Sequence, residues 1–183
     1  LSFISFSKKA WKLVETASSP RYYFDIRREL KANLSGESFF SSAVTHLRAL
    51  DYILTEYMAK DLDLLLERIQ KLSRACMVAC EKLGLEIYPS VPSPSLTVVR
   101  MPAGIDSMKV RKDMEEKFGV TVIGGQDSLK GKVIRIGHMG FITNEDMTAT
   151  IEALVQAINL QKADLISYES LKAAVASLHE SLS

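Results

Sequence analysis

Arg135 is the first residue whose setting suits chemistry. It sits in Lys132-Val133-Ile134-Arg135-Ile136-Gly137, an apolar run that reads as a strand. Side chains alternate along a strand, so Arg135 faces away from both isoleucines. A guanidinium rooted in a core strand is costly unless it meets an anion. Its planar fork matches a carboxylate through two parallel N–H bonds, which a lysine cannot offer. One destination is the carboxylate of a substrate. The other is a structural Asp or Glu, or water reached by snorkelling, and the residues alone weigh toward that second one. Ser38-Phe39-Phe40-Ser41-Ser42 is the next candidate. Its hydroxyls come just before a helix start, where unpaired N–H groups and the helix dipole attract an anion such as phosphate. Simple capping of the helix by Ser41 or Ser42 is the plainer use of the same residues.

The remaining chemistry-bearing residues offer less. Gly124-Gly125 and Gly137-His138-Met139-Gly140 let backbone pass close to a neighbour. No strand–GxGxxG–helix unit or phosphate loop of the GxxxxGK type accompanies them, so they read as turns. His46, His138 and His179 are scattered, and His138 reads as structural or solvent-facing even though it lies close to Arg135 in sequence. No Ser-His-Asp order, HExxH or CxxC is present, so the residues alone show no nucleophile and no general base. Cys76 and Cys80 share one face of a helical stretch with no further metal ligand nearby. They read as small core residues, and their reduced state fits a cytoplasmic protein.

The elements that must carry these residues follow from periodicity. The chain has 183 residues, enough for one domain or slightly more. Basic residues number 23 against 22 acidic ones, too balanced for a dedicated nucleic-acid binder. No apolar run approaches the roughly 20 residues that cross a membrane. Residues 1–34 hold seven Lys/Arg against three Asp/Glu, which reads as a solvated basic face. Leu1-Ser2-Phe3-Ile4-Ser5-Phe6-Ser7 reads as an opening strand, as in a cut through a larger protein. Ser7 then caps a helix to about Ala17, and Ser18-Ser19-Pro20 stops it.

A long helix is expected from Ser41 or Ser42 through Val44, Leu47, Leu50, Leu54 and Tyr57, with a bend or continuation at Lys60-Asp61. A second apolar stripe runs from Leu62 through Leu72, Cys76 and Cys80 to Leu83, closed by Gly84. Strands are expected at 85–88, 95–100, 120–123 and 132–137, and helices at 107–118, after Thr143 and over Leu171–Leu182. Segregated strands and helices imply an α+β layer, an antiparallel sheet covered by helices on one face.

Three stretches in this order resemble the class V aminotransferases. They are residues 1–10, Arg21-Tyr22-Tyr23-Phe24-Asp25, and Lys132 to Gly140 around Arg135. The nearest branch is that of alanine–glyoxylate, serine–pyruvate and serine–glyoxylate aminotransferases, which includes proteins long labelled as a soluble hydrogenase subunit. The resemblance covers roughly residues 1–160, the C-terminal half of such an enzyme. It implies an α/β fold overall, that of pyridoxal-phosphate enzymes of fold type I. Residues 1–60 are then the end of the large cofactor-binding domain, 61–161 a small α+β domain, and 162–183 a helical tail.

The resemblance further implies pyridoxal 5'-phosphate as cofactor and a homodimer with its active site at the interface. Small amino acids and oxo acids are the implied substrates, alanine or serine with glyoxylate or pyruvate, and no nucleic acid or membrane partner is implied. The implied compartment is the cytoplasm, or a peroxisome or mitochondrion in a eukaryote. Arg135 stands at the family's arginine for the α-carboxylate. Ser38 and Ser41 stand where the family has hydroxyl residues that reach the partner subunit's cofactor phosphate; Phe39 and Ser42 replace residues that are often proline. The Schiff-base lysine is expected upstream of Leu1, so none of Lys8, Lys9 or Lys12 takes that role, and the chain alone is expected to be inactive. Two alternatives stay open: a truncated, non-catalytic dimerisation remnant, and a pyridoxal-phosphate lyase or epimerase on the same scaffold.

Overall fold

Ser7 opens helix α1 (Lys8–Thr16), its hydroxyl accepting the Ala10 N–H at 3.2 Å. Ahead of it, residues 1–6 form no strand, which corrects the expected opening strand; Phe3 and Ile4 stand 80% and 70% exposed. A strand needs a partner edge, and no strand occurs among the described residues of the first of the two units of this computed structural model. The structure describes residues 1–183 apart from Tyr57 and Lys60, and its units are Leu1–Leu62 and Asp63–Ser183. The expectations placed on Tyr57 and Lys60 therefore lie outside the described residues.

The first unit continues with α2 (Ile26–Leu34), capped by Asp25, whose carboxylate accepts the Arg27 N–H at 3.1 Å. Periodicity missed this helix because Ile26, Leu30 and Leu34 are sparse among charged residues. Helix α3 (Val44–Tyr52) starts later than expected and runs into a π-helical segment, Ile53–Met58. Helix α4 (Ala59–Lys82) follows and leaves helical geometry at Asp61. Among the described residues of this unit only Asp25 is buried; Val44, Leu47 and Leu54 of the expected stripe remain exposed.

The second unit has a well-filled core. Strands β1 (Glu86–Ile87), β2 (Leu96–Arg100), β3 (Ile123–Gly124) and β4 (Val133–Gly137) form one antiparallel sheet in the order β1-β2-β4-β3. Val99 of β2 and Ile134 and Ile136 of β4 join a single buried cluster with Leu72, Cys76 and Cys80 of α4. Helix α5 (Ser107–Phe118) adds Val110 and Met114 and ends on Gly119, whose φ of 68° suits the left-handed stop that glycine tolerates. Helix α6 (Asn144–Asn159) opens with a complete capping box between Thr143 and Asp146. Its expected face, Met147, Ile151, Leu154, Val155 and Ile158, is buried throughout, and α7 (Tyr168–Leu182) adds Ala174 and Leu178. Among the described residues no helix is long and apolar enough to cross a membrane.

Candidate functional site

Arg135 occupies the middle of β4, opposite Val98 of β2 and Ile123 of β3. Its neighbours Ile134 and Ile136 point into the core at 0% and 2% exposure, while Arg135 is half-buried on the other face of the sheet. Its Nε–H donates to the Gly124 carbonyl at 2.9 Å. Among the described residues no carboxylate lies within ion-pair distance of it, so the guanidinium keeps both Nη groups for something else.

Arg100, two residues beyond Val98 on the same face of β2, shows what a structural arginine does here. Its Nε lies 3.0 Å from Glu86 Oε2, and its guanidinium sits 4.7 Å from the centre of the Tyr88 ring. Arg100 is neutralised within the sheet, and Arg135 is not.

On the inner face, behind β4, His138 is fully buried. Its Nε2 meets Thr97 Oγ1 at 2.8 Å, and its Nδ1 has no partner. Burial lowers its pKa to about 4, so the ring is neutral at pH 7. The sequence placed His138 close to Arg135, but alternation and burial turn it into the core. Cys76 and Cys80 are likewise fully buried, and the Cys80 thiol is pushed well up by its contact with Cys76 and by burial.

The Ser38–Ser42 loop belongs to the first unit. Ser38 Oγ donates to the Phe40 carbonyl and meets Ser42 Oγ. Glu29 holds the loop from α2, accepting the Phe39 N–H at 3.2 Å. The rings of Tyr22, Phe39 and Phe40, meeting edge to face, brace it, with the Arg28 guanidinium over two of them. Neither Ser41 nor Ser42 caps α3: the cap position is Ala43, whose methyl group cannot accept a hydrogen bond. The plain capping use of these serines is thereby overturned. Ser38, Phe40 and Ser41 line a hollow of about 620 Å³ shared with Tyr23, Asp25 and Glu29. Sequence reasoning also missed the anchor beneath it, where Arg27 grips Asp25 through two bonds of 3.0 Å and, with Arg21 and Arg28 near, lowers its carboxyl to about 2.

No family model matches the chain. It is 35% identical over 156 residues to the small subunit of a soluble hydrogenase from Synechococcus sp. (strain PCC 6716), covering 84% of this chain and 40% of that protein. It is 28% identical over 147 residues to the L-aspartate–glyoxylate aminotransferase of Paracoccus denitrificans, covering 79% and 37%. The crystal structure of pyridoxamine–pyruvate aminotransferase from Mesorhizobium loti matches it with a TM-score of 0.79 at 25% identity, covering 95% of this chain and 46% of that one. The chain is similar in sequence and in structure to named aminotransferases. Its fold is that of the type I aminotransferases, and it spans about 40% of the length of the curated relatives it matches.

Aminotransferases of this fold imply pyridoxal phosphate, and the Ser38–Ser42 loop carries the donor chemistry that its phosphate asks for. Ser41 Oγ has no hydrogen-bond partner among the described residues, and the first N–H groups of α3 have no side-chain cap. Val44 N–H donates to the Ser42 carbonyl at 2.9 Å, so a free hydroxyl ahead of the next N–H groups of α3, which no side chain caps, is what suits an anion with several acceptor oxygens. Ser38 is different, since its hydroxyl proton already serves the Phe40 carbonyl. The residues present fit a phosphate, with Ser41 the open donor and Ser38 the brace of the loop.

Proposed function

We propose that this chain is the C-terminal portion of a pyridoxal-phosphate-dependent aminotransferase. It would move an amino group between a small amino acid, alanine or serine, and an oxo acid, glyoxylate or pyruvate. The single observation that carries the reading is Arg135, a half-buried arginine on the outer face of a sheet with no carboxylate partner among the described residues. The similarity to aminotransferases named for glyoxylate and pyruvate supports it. In this reading residues 1–60 close the large domain, 61–161 form the small domain and 162–183 extend it. The working unit is a homodimer with its active site at the interface.

Pyridoxal phosphate, if bound, would supply a carrier for the amino group and an electron sink for the α-carbon. Every donor and acceptor in the cycle carries a carboxylate beside the reacting carbon. The two Nη groups of Arg135 hold that carboxylate and so fix the reacting carbon relative to the sheet. Orientation of this kind removes part of the barrier before any bond changes. Ser41 and the open N–H groups of α3 hold the phosphate of the partner subunit's cofactor, and Ser38 keeps the loop that presents them in shape. No lysine of this chain takes the covalent role, so the chain alone is inactive.

The test is steady-state kinetics of the active dimer carrying Arg135→Gln. Both substrates are gripped by the same group, so KM for amino acid and oxo acid rises together, each by about tenfold or more. Unchanged KM values, or a rise for only one substrate, refute the grip.

A further inference from the structure

We infer that the Gly124-Gly125 turn is the positioning element that aims Arg135, and that it leaves only one edge of the guanidinium for a carboxylate. The inference rests on the reading of Arg135 as the carboxylate grip. An arginine offers a carboxylate two bidentate edges, Nε with one Nη, or the two Nη groups together. In this chain Nε–H is occupied by the Gly124 carbonyl at 2.9 Å. Only the edge formed by the two Nη groups is open, so the acid must approach end-on. The same bond removes freedom from a long side chain that otherwise has many rotamers, and a grip ordered in advance binds more tightly.

The Gly124 carbonyl needs its own support, because β3 has only two residues. Pairing of Ile123 with Arg135 and of Gly124 with Ile134 sets its register on β4. The chain then folds back through a 3₁₀ turn, Asp127–Leu129, directly over Gly125. A Cβ on Gly125 would lie 2.2 Å from the Leu129 carbonyl oxygen and 2.6 Å from its carbon. That carbonyl cannot step aside cheaply. It accepts the Lys132 N–H at 3.0 Å, and the Lys132 carbonyl in turn accepts the Met101 N–H at 2.8 Å, next to β2. The turn that presents Gly124 to Arg135 is therefore closed by a contact that only glycine allows. Gly124 itself is different: a Cβ there meets nothing within 4 Å. Gly125 is thus a positioning residue, acting on substrate through Arg135, and Gly124→Ala is its matched control.

The experiment uses nuclear magnetic resonance on the 183-residue chain, with the Arg135 Nε–H signal identified by its loss in Arg135→Lys. In the unsubstituted chain a coupling across the hydrogen bond, from Arg135 Nε to the Gly124 carbonyl carbon, is expected, and its absence overturns the inference whether or not any variant folds. Gly124→Ala keeps the signal protected from solvent exchange. Gly125→Ala speeds its exchange by about tenfold or more and weakens glyoxylate binding by about tenfold, the scale of one charge-assisted hydrogen bond. The Ile134 methyl signals report that the core is intact in each variant. Loss of glyoxylate affinity in Arg135→Gln without loss in a folded Gly125→Ala overturns the positioning role alone. Unchanged affinity in Arg135→Gln overturns the carboxylate grip beneath it.

Discussion

Acid should destabilise this protein through His138 in a way that a single substitution removes. The ring is fully buried, holds Thr97 Oγ1 with Nε2 and leaves Nδ1 without a partner. Burial, with no charged partner to offset it, lowers its pKa from 6.5 to about 4. The folded value is the depressed one, so between the two values the unfolded chain binds a proton that the folded chain refuses. Stability from the neutral ring is therefore whole above the unfolded value and lost as pH falls toward the folded one. The gap corresponds to about 3 kcal/mol, a large share of an ordinary domain's stability. Urea unfolding of the second unit, followed from about pH 7.5 to about pH 4 for the natural chain and for His138→Gln, isolates the effect. The variant starts weaker, and the difference between the two proteins shrinks by about 3 kcal/mol over that range. Carboxylates titrating near the lower end act on both proteins and cancel. A difference that stays constant with pH refutes the assignment of a neutral buried ring.

Three further outcomes follow from the same geometry. Thr143→Ala breaks the capping box of α6 and should cost about 1 kcal/mol, read as a lower thermal midpoint with an unchanged fold by circular dichroism. Cys76 and Cys80 should resist thiol reagents in the folded chain and react only at the rate of opening, because both are buried and the Cys80 thiol is raised; immediate labelling of either would contradict this. Amide exchange should divide at the boundary between the units, fast in residues 1–62 and slow in β2, β4 and α6, because the first unit buries no apolar side chain among its described residues; equal protection in both halves would refute that reasoning.

The second unit was legible because its signals are local and agree with one another. Gly84 and Gly119 end helices where the apolar stripes stop, and Thr143 with Asp146 opens α6 by direct side-chain bonds. Leu72, Cys76 and Cys80 recur at helical spacing because one face of α4 meets the core. The first unit was less legible for the same reason turned round. Its α2 is marked by a cap and an ion cluster at Asp25, neither of which shows as hydrophobic period. The apolar residues at 1–6 signal burial, but a strand also needs a partner edge, which no composition rule supplies. Arg135 was visible as a position on a face. That its Nε is taken by Gly124 was not, because the bond depends on how a two-residue strand registers against β4.

The two candidate regions ask different things of the chain, and the packing in each matches the demand. A carboxylate grip must hold direction, since a planar fork that tilts loses one of its two bonds. Arg135 is rooted between Ile134 and Ile136, which are buried in the core, and is tied at Nε to a turn that a methyl group would burst. A phosphate is more forgiving, because its oxygens accept bonds from many directions and helix N–H groups supply several donors at once. The Ser38–Ser42 loop is accordingly held by lighter means: Glu29 on one backbone N–H, an internal serine contact and edge-to-face rings. If that division is right, substitutions should separate by region. Changes at Gly125 and along β4 should alter selection between acids of different shape. Ser41→Ala should weaken retention of a phosphate-bearing cofactor by one hydrogen bond, roughly 1 kcal/mol, and leave that selection untouched. Equal dissociation constants for the cofactor in the complete dimer with and without Ser41→Ala would show that the hydroxyl contributes nothing there.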